Sequence, residues 1–316
     1  MGENTVIAAG EQRSLRVSGM HVSVHGRERR FFTSLILPAL VIMAFTIGFP
    51  LASGVRLGFF RYFLTDITGE NRFIGLGNFA NLLRDRAFYV SFYRTVEYAA
   101  GVVVLSFIIG FALALLLNQD IHMRGVFRSL FLVPWIVPYV VVSLLFMWIL
   151  NANYGVFNVI LSNIGLIKHF RGWLIEPRLA MPSVILATAW KTYPFFMLML
   201  LAGLQTVPAE QYEAATIDGA GVIQRFLYVT WPNLREIIMI VTLLEFIWEF
   251  QNFTLIWVLT KGGPIDATNI WPVHIYKTAF KEFNMGYGSA MGVLWLVFLL
   301  IFSLGYIRVV GGKEAE

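Results

Sequence analysis

The chain alternates between long apolar runs and short polar segments. Six runs, at about residues 32–55, 95–117, 126–150, 182–204, 236–260 and 286–308, each approach the ~20 apolar residues a helix needs to cross a bilayer. This predicts an all-α polytopic membrane protein with about six transmembrane helices. Residues 31–308 would form one transmembrane domain, between a polar N-terminal tail at 1–30 and a short C-terminal tail at 309–316. Pro38, Pro50, Pro134, Pro138 and Pro194 lie in or at the edges of these runs. Such prolines kink helices and are tolerated where neighbouring helices satisfy the freed carbonyls.

Composition agrees with the pattern. Hydrophobic residues are 58% of the chain and charged residues only 14%, against about 25% charged in soluble domains. The net charge of +5 is explained by basic residues at membrane edges, so no nucleic-acid partner is expected. The first thirty residues have no apolar run, so no cleaved signal peptide is expected and the first span serves for insertion. Arg27, Arg29 and Arg30 precede that span and favour a cytoplasmic N-terminus. The remaining basic residues divide almost evenly between the two sides and do not decide.

Several chemistries are disfavoured. Without cysteine there are no disulfides, thiol nucleophiles or cysteine metal sites. His21, His25, His122, His169 and His274 do not fall at metal-ligand spacing. No Gly-x-Ser-x-Gly elbow and no Gly-x-x-x-x-Gly-Lys-Ser/Thr phosphate loop occurs. No catalytic, cofactor or metal residues are therefore expected in this chain.

The polar stretch between the fourth and fifth runs is the most informative. Pro208 suits the start of a helix, and Asp218-Gly219 is a stop signal because glycine accepts the left-handed conformation. Between them fits a helix of roughly ten residues, about 15 Å long. Ala214, Ala215 and Ala220 keep one surface small, Gly221 permits a bend, and re-entry into the membrane is expected around Pro232.

These residues carry a resemblance. Glu213-Ala214-Ala215, Asp218-Gly219-Ala220 and the ending Val229-Thr230-Trp231-Pro232 resemble the "EAA" loop of binding-protein-dependent ABC importers, with Trp231 in place of the usual leucine. Two further stretches resemble the carbohydrate-uptake branch. One is Ile74-Gly-Leu-Gly-Asn-Phe79 with Leu82, Leu83 and Asp85, where Gly77 replaces the usual aspartate. The other is Gly262-Gly263-Pro264 with Tyr276, Ala279, Phe280, Phe283 and Gly286 to Ala290. In order they extend the likeness over roughly 30–308, to a maltose-type sugar permease subunit.

The resemblance implies a bacterial inner-membrane location, with both termini and the 205–232 loop cytoplasmic. It implies a second permease subunit, two ATP-binding subunits that hold ATP and Mg, and an extracytoplasmic solute-binding protein that delivers a sugar. Glu213, Ala214, Ala215, Asp218, Gly219, Ala220, Gly221 and Pro232 would couple the ATPases to the membrane.

Polar residues inside the membrane mark a candidate pathway. Glu245, Glu249, Asn252 and Ile256 would share one helical face, and a mid-bilayer carboxylate costs roughly 3 kcal/mol to insert. That face must point inward, at a partner or into a wet path. Depths by helical rise allow a Lys191–Glu249 pair; the charges could equally serve packing alone. Trp190, Tyr193, Trp248, Phe250, Phe253 and Trp257 cluster in the same two runs, as in a sugar path that sets aromatic plates beside amide and carboxyl groups. Helix packing and interfacial belts need the same residues. The alternative is an ion-coupled secondary transporter in which Lys191, Glu245 and Glu249 relay protons. It would show inverted repeats, and none is evident.

Overall fold

The computed structural model describes residues 36–65 and 71–311, so the N-terminal tail, Asp66, Glu70 and the last five residues lie outside the described part. The described part is helical apart from one antiparallel two-residue pair, β1 (Phe60–Arg61) with β2 (Arg72–Phe73). The helices in order are α1 (Ile36–Leu57), α2 (Gly77–Leu82), α3 (Arg86–Leu117), α4 (Arg124–Ile136), α5 (Tyr139–Ile149), α6 (Val156–Asn163) and α7 (Pro177–Leu204). They continue with α8 (Ala209–Ile217), α9 (Val222–Phe250), α10 (Thr254–Leu259), α11 (Trp271–Tyr276) and α12 (Met285–Gly311). Among the described residues five of them (α1, α3, α7, α9 and α12) are long and apolar enough to cross a membrane, and the bent pair α4–α5 is apolar enough to make a sixth if it counts as one broken span.

The chain divides into two units, Met1–Ser53 and Gly54–Glu316. In the first, α1 presents apolar side chains such as Leu40, Phe45, Ile47 and Phe49 to its surroundings. Pro50 has no N–H for the carbonyl one turn back, and a π-turn over Ala44–Gly48 takes up the change of register.

In the second unit, α3 and α7 run parallel as the central pair. Tyr98 meets Thr188 (3.1 Å) and Ser106 meets Thr192 (2.7 Å) across them. Further along the same crossing stands Gly110. A Cβ there would lie 2.6 Å from Phe196 Cβ and 2.8 Å from the Met197 nitrogen and the Tyr193 carbonyl. Small residues let membrane helices approach this closely, and dispersion rather than water exclusion then holds them. Leu117, Phe196, Leu200, Leu204 and Leu234 form the core at this end of the pair. Phe88, Phe92, Phe250, Trp271 and Phe298 interlock edge-on at the other.

The expectation of one helix over 126–150 is corrected. Val137 is extended (ψ 129°) before Pro138, as a residue preceding proline must be, and the two halves meet at 95°. The break frees backbone carbonyls that a membrane span must satisfy from its own side chains or neighbours. Lys191 supplies the donors: its Nζ donates to Trp135 O (2.9 Å) and Val137 O (2.7 Å) and lies 4.6 Å from the Tyr139 ring centre.

The fifth run is also corrected. Its helix does not begin near Pro232 but at Val222, and a π-turn over Phe226–Thr230 falls where Pro232 withholds its N–H. The helix ends at Phe250 rather than near 260. There the Asn252 amide turns back on Glu249, and Thr254–Leu259 forms a separate helix packed against α5.

The two stretches that carry the carbohydrate-branch resemblance meet. Asn78 donates to the carbonyls of Gly58 and Phe60 (both 2.9 Å), Tyr287 OH donates to Asp85 (2.8 Å), and Asp85 also caps α3 through Ala87 N. A side chain at Gly286 would collide with the Phe60 carbonyl.

Because backbone atoms crowd Gly110, Gly110→Ala should destabilise the detergent-extracted protein by at least the ~1–3 kcal/mol typical of overpacking. Gly125→Ala, with nothing within 4 Å, should be neutral or stabilising. Thermal melting followed by fluorescence checks this, and equal melting of both variants would contradict the α3–α7 contact.

Candidate functional site

The segment between α7 and α9 is built by local rules. Pro208 (φ −59°, ψ 133°) caps the start of α8, one position before the first helical residue. At the other end Gly219 takes φ +79°. Its N–H donates to Thr216 O (3.1 Å) and Ala220 N–H donates to Ala215 O (2.9 Å), a Schellman closure. Gly221 is extended and starts α9, with its N–H donated to Gln224 Oε1 (2.9 Å).

No residue of α8 is buried, and Glu213, Ala214 and Asp218 are exposed. Ala215 and Ala220 are half-buried. Around the small surface stand large exposed apolar side chains that the residue pattern did not single out: Ile217, Val222, Ile223 and Tyr228, each at least 74% exposed. Large apolar side chains left this exposed are candidates for cover by another surface. Three side-chain hydrogen bonds lash α8 and its C-terminal turn to α9: Tyr212 to Thr230 (3.0 Å), Asn233 to Gln211 (2.8 Å) and Arg225 to Thr216 (3.2 Å).

Within its last two turns α9 carries two buried carboxyl groups. Glu245 is 1% exposed and Glu249 fully buried. Tyr98 OH (2.5 Å) and Asn252 Nδ2 (2.9 Å) both donate to Glu249 Oε2, and Asn252 also reaches Tyr98 OH (3.0 Å). Oε1 of each glutamate lacks a hydrogen-bond partner among the described residues. Tyr98 was not a candidate; a lone tyrosine in a long apolar run gives no signal until its neighbour across the bundle is known. The possible Lys191–Glu249 pair does not form among the described ion pairs, because the ammonium is committed to the carbonyls at the α4–α5 break. Ile256 does not share the glutamate face, since α9 has already ended.

The aromatic candidates separate into different settings. Trp190 packs edge-on to Phe146 (5.7 Å) against the core that holds Tyr98. Tyr193 is half-buried on α7. Trp248 is 46% exposed over Phe195 (5.0 Å). Phe250 belongs to the interlocked aromatic core. Phe253 and Trp257 stack (5.5 Å) and continue through Tyr276 to Phe280, a half-exposed ladder that joins α10 to α11. On the side of the bundle opposite α8, a cleft of about 470 Å³ opens between the end of α5, residues 172–175 and residues 258–264.

Comparison with known proteins agrees with this architecture. Residues 103–310 match the family model described as binding-protein-dependent transport system inner membrane component. The trehalose/maltose transport system permease protein MalF of Thermococcus litoralis is 36% identical over 90% of this chain and 94% of its own. The sulfoquinovosyl glycerol transport system permease protein SmoG of Agrobacterium fabrum is 33% identical over 91% and 92%. A chain of a bacterial ABC transporter involved in import of the acidic polysaccharide alginate superimposes with a TM-score of 0.77 at 21% identity, over 90% of this chain and 96% of that one. The match to the family model and the full-length relatives agree with the exposed, capped α8 and the multi-pass helical bundle: the chain belongs to the binding-protein-dependent transport system inner membrane components, the permease subunits of ABC importers.

Proposed function

We propose that this chain is one of two transmembrane subunits of an importer for an oligosaccharide or related sugar, driven by ATP hydrolysis in partner subunits. The observation that carries the reading is α8. It is exposed on every turn, bounded by a proline and a Schellman glycine, and bonded to a helix that runs unbroken to Glu249. Of the two ATP-binding subunits, which hold ATP and Mg, one seats α8 in a groove through Glu213, Ala214, Ala215, Asp218, Gly219 and Ala220, with Ile217, Ile223 and Tyr228 at the rim and Gly221 and Pro232 shaping the turn back into the membrane. Both termini lie on that cytoplasmic side. A binding protein delivers the sugar at the opposite face, where the cleft beside Lys261 offers it a seat.

Closure of the ATPase dimer displaces α8, and the bonds to Thr230, Asn233 and Arg225 pass that displacement to α9 as a rigid lever. Glu245, Glu249 and Asn252 move with it relative to Tyr98. That movement is what would open the buried Glu245 and Glu249 carboxyl groups to sugar hydroxyls, and the Phe253–Trp257 ladder and Trp248 suit sugar C–H faces. Relatives of 36% and 33% identity are named for trehalose/maltose and sulfoquinovosyl glycerol transport, which supports the sugar class.

Reconstitution in proteoliposomes tests the reading. The chain alone should neither hydrolyse ATP nor take up sugar, and both activities should require the ATPase subunits with an intact phosphate-loop lysine. Uptake by the single chain on a proton gradient would instead establish the ion-coupled alternative.

Gly219→Val should force a β-branched residue to φ +79°, costing at least ~1–2 kcal/mol locally. Insertion should be normal, while ATPase retention or substrate-stimulated hydrolysis falls; wild-type coupling in this variant would remove α8 from the role. In the buried network, Tyr98→Phe and Glu249→Gln should each impair transport. Their combination should show a coupling energy of about 1–3 kcal/mol in a double-mutant cycle, as for a bond to a charged group. Strict additivity would deny that Tyr98 acts on Glu249.

A further inference from the structure

A second site lies at the start of α3, at the end of the bundle away from α8. Arg84, Arg86 and Arg94 surround a cleft of about 520 Å³ together with Tyr89, Val90 and Tyr93. Arg84 and Arg86 are exposed and make no ion pair among the described residues. Arg94 spends one terminal nitrogen on Glu97 (2.6 Å), while its Nε is shielded from solvent without a partner. Asp85, next to Arg84 and Arg86 in the chain, is engaged by Ala87 N and Tyr287 OH. The cleft therefore keeps a positive charge that nothing in the described chain neutralises.

Its position names the class of ligand. At 1.5 Å per residue the 32-residue α3 is about 48 Å long, well beyond the ~30 Å of bilayer hydrocarbon. The charges of α3 are confined to Arg86–Glu97, and the 20 residues after them fill that thickness at the same rise, which leaves the first turns, with Tyr89 and Tyr93, to the headgroup level, where tyrosine concentrates. Directly along the helix from the cleft, Tyr93, Glu97, Ala100, Val104 and Ile108 follow at spacings of four, three, four and four. All but the paired Glu97 are exposed, and the stripe is apolar from Ala100 onward. A soluble anion has no use for that stripe; an acyl chain does.

We propose that the Arg84–Arg86–Arg94 cleft binds the phosphate of an anionic phospholipid, with its acyl chain laid along the Ala100–Val104–Ile108 face. The guanidinium groups supply planar, charge-assisted donors to phosphate oxygens, and the tyrosines flank the glycerol region. The proposal rests on the membrane-spanning fold and not on which solute is carried.

Native mass spectrometry of the delipidated, membrane-extracted complex tests it, with phosphatidylglycerol, phosphatidylcholine and inorganic phosphate as separate probes. Wild type should retain phosphatidylglycerol in preference to phosphatidylcholine. Arg84→Gln with Arg86→Gln should lower phosphatidylglycerol retention by roughly tenfold or more, given about 1 kcal/mol for each basic residue at an anionic headgroup layer. Phosphatidylcholine should be unaffected, and the double Lys variant should keep most of the preference, which separates loss of charge from misfolding. Equal retention in wild type and the Gln variant would overturn the proposal. So would displacement of the lipid by inorganic phosphate. A Gln variant that keeps phosphatidylglycerol but loses affinity for the binding protein would assign the cleft to protein docking instead.

Discussion

A bend of 95° between α4 and α5 takes backbone carbonyls out of the helical ladder, and one ammonium group satisfies two of them. Lys191 bonds Trp135 O and Val137 O across the α4–α5 break. Hydrocarbon offers backbone polar groups no alternative partner, so an unsatisfied carbonyl there costs several kcal/mol. The break, the aim of α5, and the packing of α10 against α5 all follow from this cap. A buried ammonium in turn needs acceptors, and the break supplies them. The kink and the lysine each make the other tolerable.

Much of the rest repeats that exchange between freed and supplied hydrogen bonds. Pro232 withholds an N–H, and a π-turn absorbs the shift without ending α9. Asn252 leaves the helix and binds back to Glu249 and Tyr98. Because α9 survives its proline, the exposed α8 is continuous in stiffness with the buried carboxylates. Had the helix ended at Trp231-Pro232, motion of α8 would be lost in a hinge. Glu245 and Glu249 are buried at the far end of this helix.

What was legible in the sequence followed from local rules. Pro208 and Gly219 bracket α8 because a proline and a left-handed glycine act within one turn. The spans were legible from apolar run length. The severity of the Pro138 break was not, since a proline announces a kink but its angle is set by what can cap the carbonyls. Arg225, Trp231-Pro232 and Arg235-Glu236 made the first half of α9 read as loop, although one face of it packs on Phe111 and Leu204. Depth along two helices allowed a Lys191–Glu249 pair, but backbone carbonyls compete for a lysine and leave no trace in residue identity. Tyr98, the closest donor to Glu249, was hidden for the same reason. Asp85 with Tyr287 and Asn78 with the Gly58–Phe60 turn explain why two dispersed motifs belong together.

The central claim is that α8 and α9 move as one body. The chain has no cysteine, so paired cysteines introduced for spin labels are its only thiols, and labelling it before assembly with the partner subunits avoids theirs. Pulsed electron–electron distance measurements between labels at Glu213 and Gln224, and between Gln224 and Gln119, should be made in the assembled complex with and without ATP. The account predicts that the distance from Glu213 to Gln224 holds its value and width in both states, while the distance from Gln224 to Gln119 changes. A change or broadening between Glu213 and Gln224, with the other distance fixed, would contradict it.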